Sequence, residues 1–444
     1  MRPIGIDLFA GAGGLSLGFE QAGFEVVAAV EIDPIHAAVH AFNFPRCAVL
    51  PRSVVGLTGE EIRRVAGIGN RHVDVVFGGA PCQGFSLIGH RIIDDPRNAL
   101  VREFVRIVDE LRPTSFVFEN VKGLTVGKHR AFLEELMEAF KGIGYNVRSP
   151  WRVLDAAEYQ VPQHRERLFL LGARKGRKLP DYPPPLCRPA DQPGKGLAGP
   201  TCADALGDLP DADRFPTLLR TDQAKPSAWR EPSAYAQEMR CLTNNAWHFG
   251  YPRVWPHTLL TSSARTEHSD ISRQRFAETK PGTVEPISRF YKLSADGLSN
   301  TLRAGTDAAR GAFTSPRPIH YALARCVTVR EMARLHGFPD WFRFHETKWH
   351  GARQIGNAVP PPLARAVATM VIQAMGIEPT RPVEPVPLGD LALIYMDMGR
   401  AAKHFGVAAP NGKRDRKSGA KKRSQHQTEL ARNPRYQEMA NAAE

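Results

Sequence analysis

The sequence predicts an α/β protein built on a doubly wound, mostly parallel sheet, joined to a second, smaller and irregular domain. Three observations predict it. Short apolar runs alternate with longer amphipathic ones from residue 3 to about 173. A glycine-rich segment stands between the first apolar run and the first helical pattern, and the alternation stops after Gly172, where proline and glycine take over. A chain of 444 residues with 42% hydrophobic content is long enough to bury such a sheet and a second core beside it.

The expected strands, in order, are PIGIDLF, VVAAVEI, CAVL, VDVVFGG, SFVFEN, NVRSPWRVL and RLFLLGA, most of them apolar throughout, as strands covered on both faces are. VREFVRIVDELR and HRAFLEELMEAFKGIG carry helical spacing, and Gly142 and Gly144 stop the second. KGRKLPDYPPPLCRPADQPGKGLAGP reads as a linker, after which neither period is sustained until about residue 326. TVREMARLHGF and PPLARAVATMVIQAMG then restore a helical pattern, the latter opened by prolines and closed by Gly376.

From residue 411 the chain reads as a disordered basic tail, with nine basic and four acidic residues. That tail holds +5 of the net +13, so +8 lies elsewhere, and an excess so widely spread points to a polyanionic partner. No run of about eighteen apolar residues occurs, and Asp7 interrupts the N-terminal stretch before a signal-peptide core can form. An intracellular protein with no membrane partner is therefore expected. The cysteines at 47, 82, 187, 202, 241 and 326 form no CxxC pair, which argues against a zinc knuckle or a disulfide framework; free thiols and no metal are expected.

Four segments carry candidate chemistry. IDLFAGAGGLSLGFEQAGF follows the first strand and opens a helix, so its glycines can bring backbone N–H groups close to a ligand, or simply make a tight turn. Its spacing is DxFxGxGG, not the dinucleotide GxGxxG. Glu31 ends the next strand, where a carboxylate either accepts from ribose hydroxyls or is an ordinary surface strand end. Cys82, in GGAPCQGFS, follows the fourth strand. It is either a small buried thiol or, among Pro81, Gln83, Gly84 and Ser86, a nucleophile that needs a positive charge or a base nearby. Glu119 ends SFVFEN at the same edge, as a plain strand-end carboxylate or as one whose apolar surroundings let it hold a proton. In EYQVPQHRERLFLLG, Gln163, Arg165 and Arg167 alternate and so share one face, either solvated or presenting a guanidinium fork to a base or to Glu119.

Taken in order, DLFAGAGG, VEIDP, GGAPCQGFS, FENVKG, QHRER, SNTLRAG and RQIGNAVPPPLA closely resemble the DNA (cytosine-5) methyltransferases, mostly known from bacterial restriction and modification. The resemblance spans about residues 3 to 173 and 290 to 375. It implies a sheet of the S-adenosylmethionine-dependent methyltransferase type over residues 1–180 and 340–380, a target-recognition domain and hinge over 181–339, and a C-terminal extension over 381–444. It implies a methyl donor held by Asp7, Phe9, Gly11, Gly13, Gly14, Leu15, Glu31, Ile32, Pro81, Asn357 and Val359. It also implies a cytosine flipped from double-stranded DNA, attacked at carbon 6 by Cys82, bonded at ring nitrogen 3 by Glu119 and at its ring oxygen by Arg165, with Arg167 in support.

Gln83, Ser86, Gln163, Thr301 and Arg303 fall on the DNA side of that comparison. Readers of bases and phosphates are expected in TNNAWHFGYPRVWPHTLLTSSARTEHSD and GTDAARGAFTSPRPIHY. One departure stands out. The family carries Gly-Asp after the third strand, whereas VLPRSVVG places Pro51, Arg52 and Ser53 there, which leaves the adenine contact to Ser53, a backbone amide or another acidic residue.

Three other functions compete. A tRNA substrate is disfavoured by the long basic middle region, a non-catalytic DNA binder by the joint presence of Cys82, Glu119 and Arg165, and an oxidoreductase by the missing GxGxxG. The expected protein is a monomer in a bacterial cytoplasm, acting on a short target in duplex DNA beside a separate cognate endonuclease.

Overall fold

Segments such as IGIDL and VVFG offer no solvent-facing position, so they form strands only where both faces are covered. The computed structural model of the protein describes residues 2–81, 98–125, 129–305 and 316–409. Its first half contains β1 (Ile4–Leu8), α1 (Gly14–Ala22), β2 (Glu25–Val30), α2 (Pro34–Asn43), β3 (Ala48–Leu50), α3 (Gly59–Val65), β4 (Val75–Gly78), α4 (Ala99–Leu111), β5 (Ser115–Val121), α5 (His129–Gly142), β6 (Tyr145–Val147), β7 (Arg152–Asp155) and β8 (Glu166–Arg174). Among the described residues these eight strands make one sheet in the order β3-β2-β1-β4-β5-β8-β6, with β7 also paired to β8.

Strands β1 to β5 are parallel, and β8 runs antiparallel to β5, β6 and β7. The reversal decides which residues share an edge. The carboxyl ends of β1, β2, β4 and β5 meet at one edge, and an antiparallel β8 brings its first residues to that same edge, with Val121 opposite Arg167.

Two apolar layers cover the sheet. On one face Phe104 of α4 and Phe140 of α5 pack with Phe116 and Phe118, the Phe116 and Phe140 rings stacked at 3.8 Å. On the other, Phe19 of α1 stacks on Phe77 at 3.7 Å. There α1 lies against α11 (Pro361–Ala374), and a Cβ at Gly18 would fall 2.3 Å from the Ala364 Cβ, so glycine lets the two backbones approach.

The remaining elements are short: α6 (Cys202–Leu206), α7 (Ala234–Met239), β9 (Arg253–Val254), α8 (Asp270–Glu278), α9 (Val329–Leu335), α10 (Lys348–Asn357), β10 (Val386–Pro387) and α12 (Met398–Phe405). Leu206, Leu218, Leu260, Met332, Trp341 and Phe342 form a second core among them. α9 starts at a capping box in which Thr328 and Glu331 satisfy each other's backbone N–H. No described helix is long and apolar enough to cross a membrane, and the five described cysteines are free thiols.

Two expectations need correction. NVRSPWRVL is not one strand but two, β6 and β7, because Pro150 between them has no N–H for the ladder. The proline-rich segment after Gly172 is not a free linker. Arg148 donates to the carbonyls of Leu179 and Pro180, Tyr159 Oη to Pro183 O, and Tyr182 Oη to Phe169 O, which pins the segment to the sheet. In the C-terminal extension, Leu393 and Ile394 pack on Ala38, Val39 and Phe42 of α2 and on Ala12 of the glycine loop. The basic tail from 411 lies outside the described residues.

Candidate active site

The carboxyl edge of the sheet gathers the glycine loop after β1, the end of β2, the turn after β4, the end of β5 and the start of β8. In the glycine loop Phe9, Gly11 and Gly13 all have positive φ, at 64°, 56° and 106°. A Cβ at Gly13 would lie 2.4 Å from the Phe44 ring, and one at Gly14 would lie 2.5 Å from Val359 O. Glycine is therefore required both for the turn and for the contact with the segment after α10. Around Gly11 the space is open, since a Cβ there meets nothing within 4 Å.

Glu31 holds this loop. Its Oε2 accepts from Gly11 N and its Oε1 from Asp33 N, both at 2.8 Å, while Asp33 caps α2 through Ile35 N and His36 N. Burial raises the Glu31 carboxyl above its ordinary range, although His36 opposes it. The neighbouring Ile32 is 64% exposed, an apolar side chain facing solvent next to a buried carboxylate.

Behind the loop, Ser16 Oγ donates to Asp7 Oδ2 at 2.7 Å and lies 3.0 Å from His40 Nε2. Sequence reasoning missed Ser16 and His40, whose roles appear only when α1 and α2 pack together. Burial pushes Asp7 up to about 8 and His40 down to about 3. Asp7 Oδ1 is buried and has no hydrogen-bond partner among the described residues. A buried carboxyl oxygen without a partner, open space over Gly11, an acidic strand end and an exposed apolar neighbour together fit a nucleoside-bearing ligand with its own hydrogen-bonding groups.

At the β5 end, Glu119 is buried and Arg167 Nε sits 2.9 Å from its Oε1. Burial raises the Glu119 carboxyl, with Arg167 and Arg165 pulling against it. The turn after β4 is fitted to this side chain: a Cβ at Gly79 would lie 2.3 Å from Glu119 Oε2, and Asn120 Nδ2 donates to Ala80 O at 2.9 Å. Asn120 is a third residue that sequence reasoning missed, although it adjoins Glu119 in the quoted motif.

Arg165 is placed differently from Arg167. It is buried, with Nη1 donating to Leu302 O at 2.9 Å and Nη2 to Gly356 O at 2.7 Å, while its Nε has no partner among the described residues. Gln163, expected on the DNA side, is fully buried. Its amide nitrogen donates to Leu335 O and meets His336, and its oxygen accepts from Leu302 N. In this structure the amide is therefore engaged with protein at both its nitrogen and its oxygen.

Thr301 and Arg303 are exposed, and the Thr301 hydroxyl donates to His164 O at 2.8 Å. Leu15 and Val359 are buried, and Asn357 and Pro81 are exposed. Ser53 Oγ accepts from Val55 N at 3.1 Å and so caps its own turn. Cys82, Gln83 and Ser86 lie outside the described residues, as does most of GTDAARGAFTSPRPIHY.

Known proteins resemble this chain along most of its length. The family model for C-5 cytosine-specific DNA methylase matches residues 4–373. The chain is 59% identical over 408 residues to the type II methyltransferase M.XorII of Xanthomonas oryzae pv. oryzae, which covers 92% of this chain and 93% of that relative. It is 34% identical over 378 residues to the type II methyltransferase M1.HphI of Haemophilus parahaemolyticus, covering 83% and 86%. Among solved structures, a putative DNA modification methyltransferase encoded within an E. coli prophage superposes with a TM-score of 0.67 at 32% identity, over 84% of this chain and all of that one.

Proposed function

The chain belongs to the C-5 cytosine-specific DNA methylases, and from that premise we propose a full reaction for it. The protein methylates cytosine in DNA, as the restriction-modification methyltransferases it matches do. Our reading adds the route: the target cytosine swings out of duplex DNA, Cys82 bonds transiently to its carbon 6, and carbon 5 takes the methyl group. The observation that carries this reading is the buried Glu119 carboxyl, raised in pKa and braced by Arg167, at the strand edge next to the turn that leads to Cys82.

The chemistry follows from one difficulty. Carbon 5 of cytosine is a weak nucleophile, and it must become electron-rich before it can take a methyl group. Addition of the Cys82 thiolate to carbon 6 does this, pushing the ring π electrons toward ring nitrogen 3, where Glu119 donates a proton or a hydrogen bond. S-adenosylmethionine, the methyl donor of this family, supplies an electrophilic methyl on a sulfonium. Asp7, Phe9, Gly11, Gly13, Gly14, Leu15, Glu31, Ile32, Pro81, Asn357 and Val359 hold it, and the orphaned Asp7 Oδ1 and the open space at Gly11 support that assignment. A base, water included, then removes the carbon 5 proton, the electron pair re-forms the 5,6 double bond, and Cys82 leaves as thiolate. Arg165 fixes the floor of the site through Leu302 and Gly356 and keeps Nε for the base.

In this reading residues 1–180 and 340–380 are the catalytic region and 181–339 the recognition region. The protein is a cytoplasmic monomer paired with a separate endonuclease. Labelled methyl from S-adenosylmethionine should enter duplex DNA, bisulfite mapping should place it in one short sequence, and DNA carrying 5-fluorocytosine at the target should trap a covalent adduct. Cys82→Ser should lose transfer by about a thousandfold or more while still binding DNA. Transfer at the wild-type rate by that variant defeats the route through carbon 6.

A further inference from the structure

The proposed reaction leaves His164, between Gln163 and Arg165, without a role. Its Nδ1 lies 2.6 Å from Asp155 Oδ2 and its Nε2 lies 2.9 Å from Asp191 Oδ2. A neutral imidazole donates from one nitrogen only, so an ionised carboxylate at each nitrogen requires the doubly protonated ring. Asp155 ends β7, and its other oxygen accepts from Arg165 N at 2.9 Å and Ala157 N at 3.2 Å. Asp191 belongs to the proline-rich segment that leads away from the sheet. The backbone of His164 is fixed from a third side: its N–H donates to Ser299 O at 3.2 Å and its carbonyl accepts from Thr301. One ring thus joins the arginine motif, the end of β7 and the connecting segment.

We propose that His164 is a positioning residue: its imidazolium staples the connecting segment, through Asp191, to the arginine motif, and loss of its proton releases that segment and weakens DNA engagement. This deepens the proposed methylation function and rests on it for the DNA readout. The charged groups facing the ring are Asp155 from β7 and Asp191 from the connecting segment. Glu158, just after β7, adds negative charge beside Asp155, Glu166 is paired with Lys122 at 2.7 Å, and the Arg165 guanidinium is engaged with Leu302 and Gly356. Partial burial works against the charged ring, but the hydrogen bonds to Asp155 and Asp191 outweigh it and raise its pKa above the ordinary histidine value. The staple is therefore complete below the ordinary value and is lost as pH rises through the raised one. The ring is 39% exposed, which keeps the effect modest.

The test combines a histidine-ring NMR titration of the full chain with labelled-methyl transfer into duplex DNA across pH, for wild type, Asp191→Asn and His164→Gln. His164 should titrate above the ordinary histidine value, and Asp191→Asn should lower that midpoint. The KM for DNA should rise about two- to fivefold across the wild-type titration, with kcat moving less. Both variants should show the raised KM at every pH, without the step. A His164 midpoint at or below the ordinary value overturns the proposal, as does a wild-type KM step in Asp191→Asn. Absence of methyl transfer at a pH where His164 is charged counts against the methylation route instead, and the NMR titration then judges the staple alone.

Discussion

At the carboxyl edge of the sheet, Asp7 and Glu119 are buried carboxyls held above the usual range, Asp7 at about 8. In the second core, Glu331 and Asp340 are buried as deeply and held below it, Glu331 at about 2. Burial pushes all four upward, so the partners decide the difference. In the core, Arg325 forks onto both oxygens of Glu331 at 2.8 Å, and Arg334 bonds Asp340 on one side and Asp208 on the other. At the edge, Asp7 has a hydroxyl and an orphaned oxygen, and Glu119 is bonded to Arg167, with Arg165 adding charge from further off, against the stronger effect of burial. Fully paired charge holds a shape. Charge with bonding capacity left over is available to a ligand or a proton.

That contrast can be broken at either end. Arg334→Met takes the short, hydrogen-bonded partner from both Asp208 and Asp340, leaving them Arg240 and Arg330 at 3.7 Å, and should cost about 3 kcal/mol in denaturant unfolding, while the folded fraction keeps its methyl transfer. An unfolding midpoint equal to wild type would show that the core does not depend on this pairing. Glu119→Gln should do the reverse, lowering kcat by about a hundredfold with little change in the unfolding midpoint. Loss of stability in place of rate would make Glu119 a structural group.

A smaller and graded effect is expected from Asp7. The folded carboxyl keeps its proton while the unfolded one loses it above about 4, so stability is greatest below that point and falls as pH climbs toward about 8. Asp7→Asn should flatten the stability profile across that window, as followed by thermal unfolding in matched buffers. A slope unchanged in the variant would assign it to another group.

Much of the edge was legible in the sequence because its signals are local. The unbroken apolar runs gave the strands, DxFxGxGG gave a glycine turn whose φ values prove positive, and the alternation in QHRER put Arg167 on a face for which Glu119 was one of several offered partners. What failed to show depends on distant neighbours. Gln163 looks like any polar strand residue until Leu302, Leu335 and His336 close over it, and no local pattern marks those partners. The proline-rich segment reads as a linker because its anchors are backbone carbonyls, which every sequence has. Ser16 and His40 stand 24 positions apart and meet only through helix packing.

The reversed strand β8 has a consequence for how activity reports on folding. The ladder between Ser115–Val121 and Arg167–Ala173 fixes where Arg167 stands, whatever the length of the chain between them. A slip of one residue would turn Arg167 to the opposite face, and a slip of two would carry it about 7 Å along the strand. Either product would also displace Leu168, Phe169, Leu170 and Leu171, all fully buried in the two layers, and would move Gly172 from its close fit against Phe116, so the register is held by the core as well as by the ladder. Activity and the unfolding midpoint should therefore fall together in any refolded sample where this ladder closes out of place, because the same strand carries Arg167 and part of both cores.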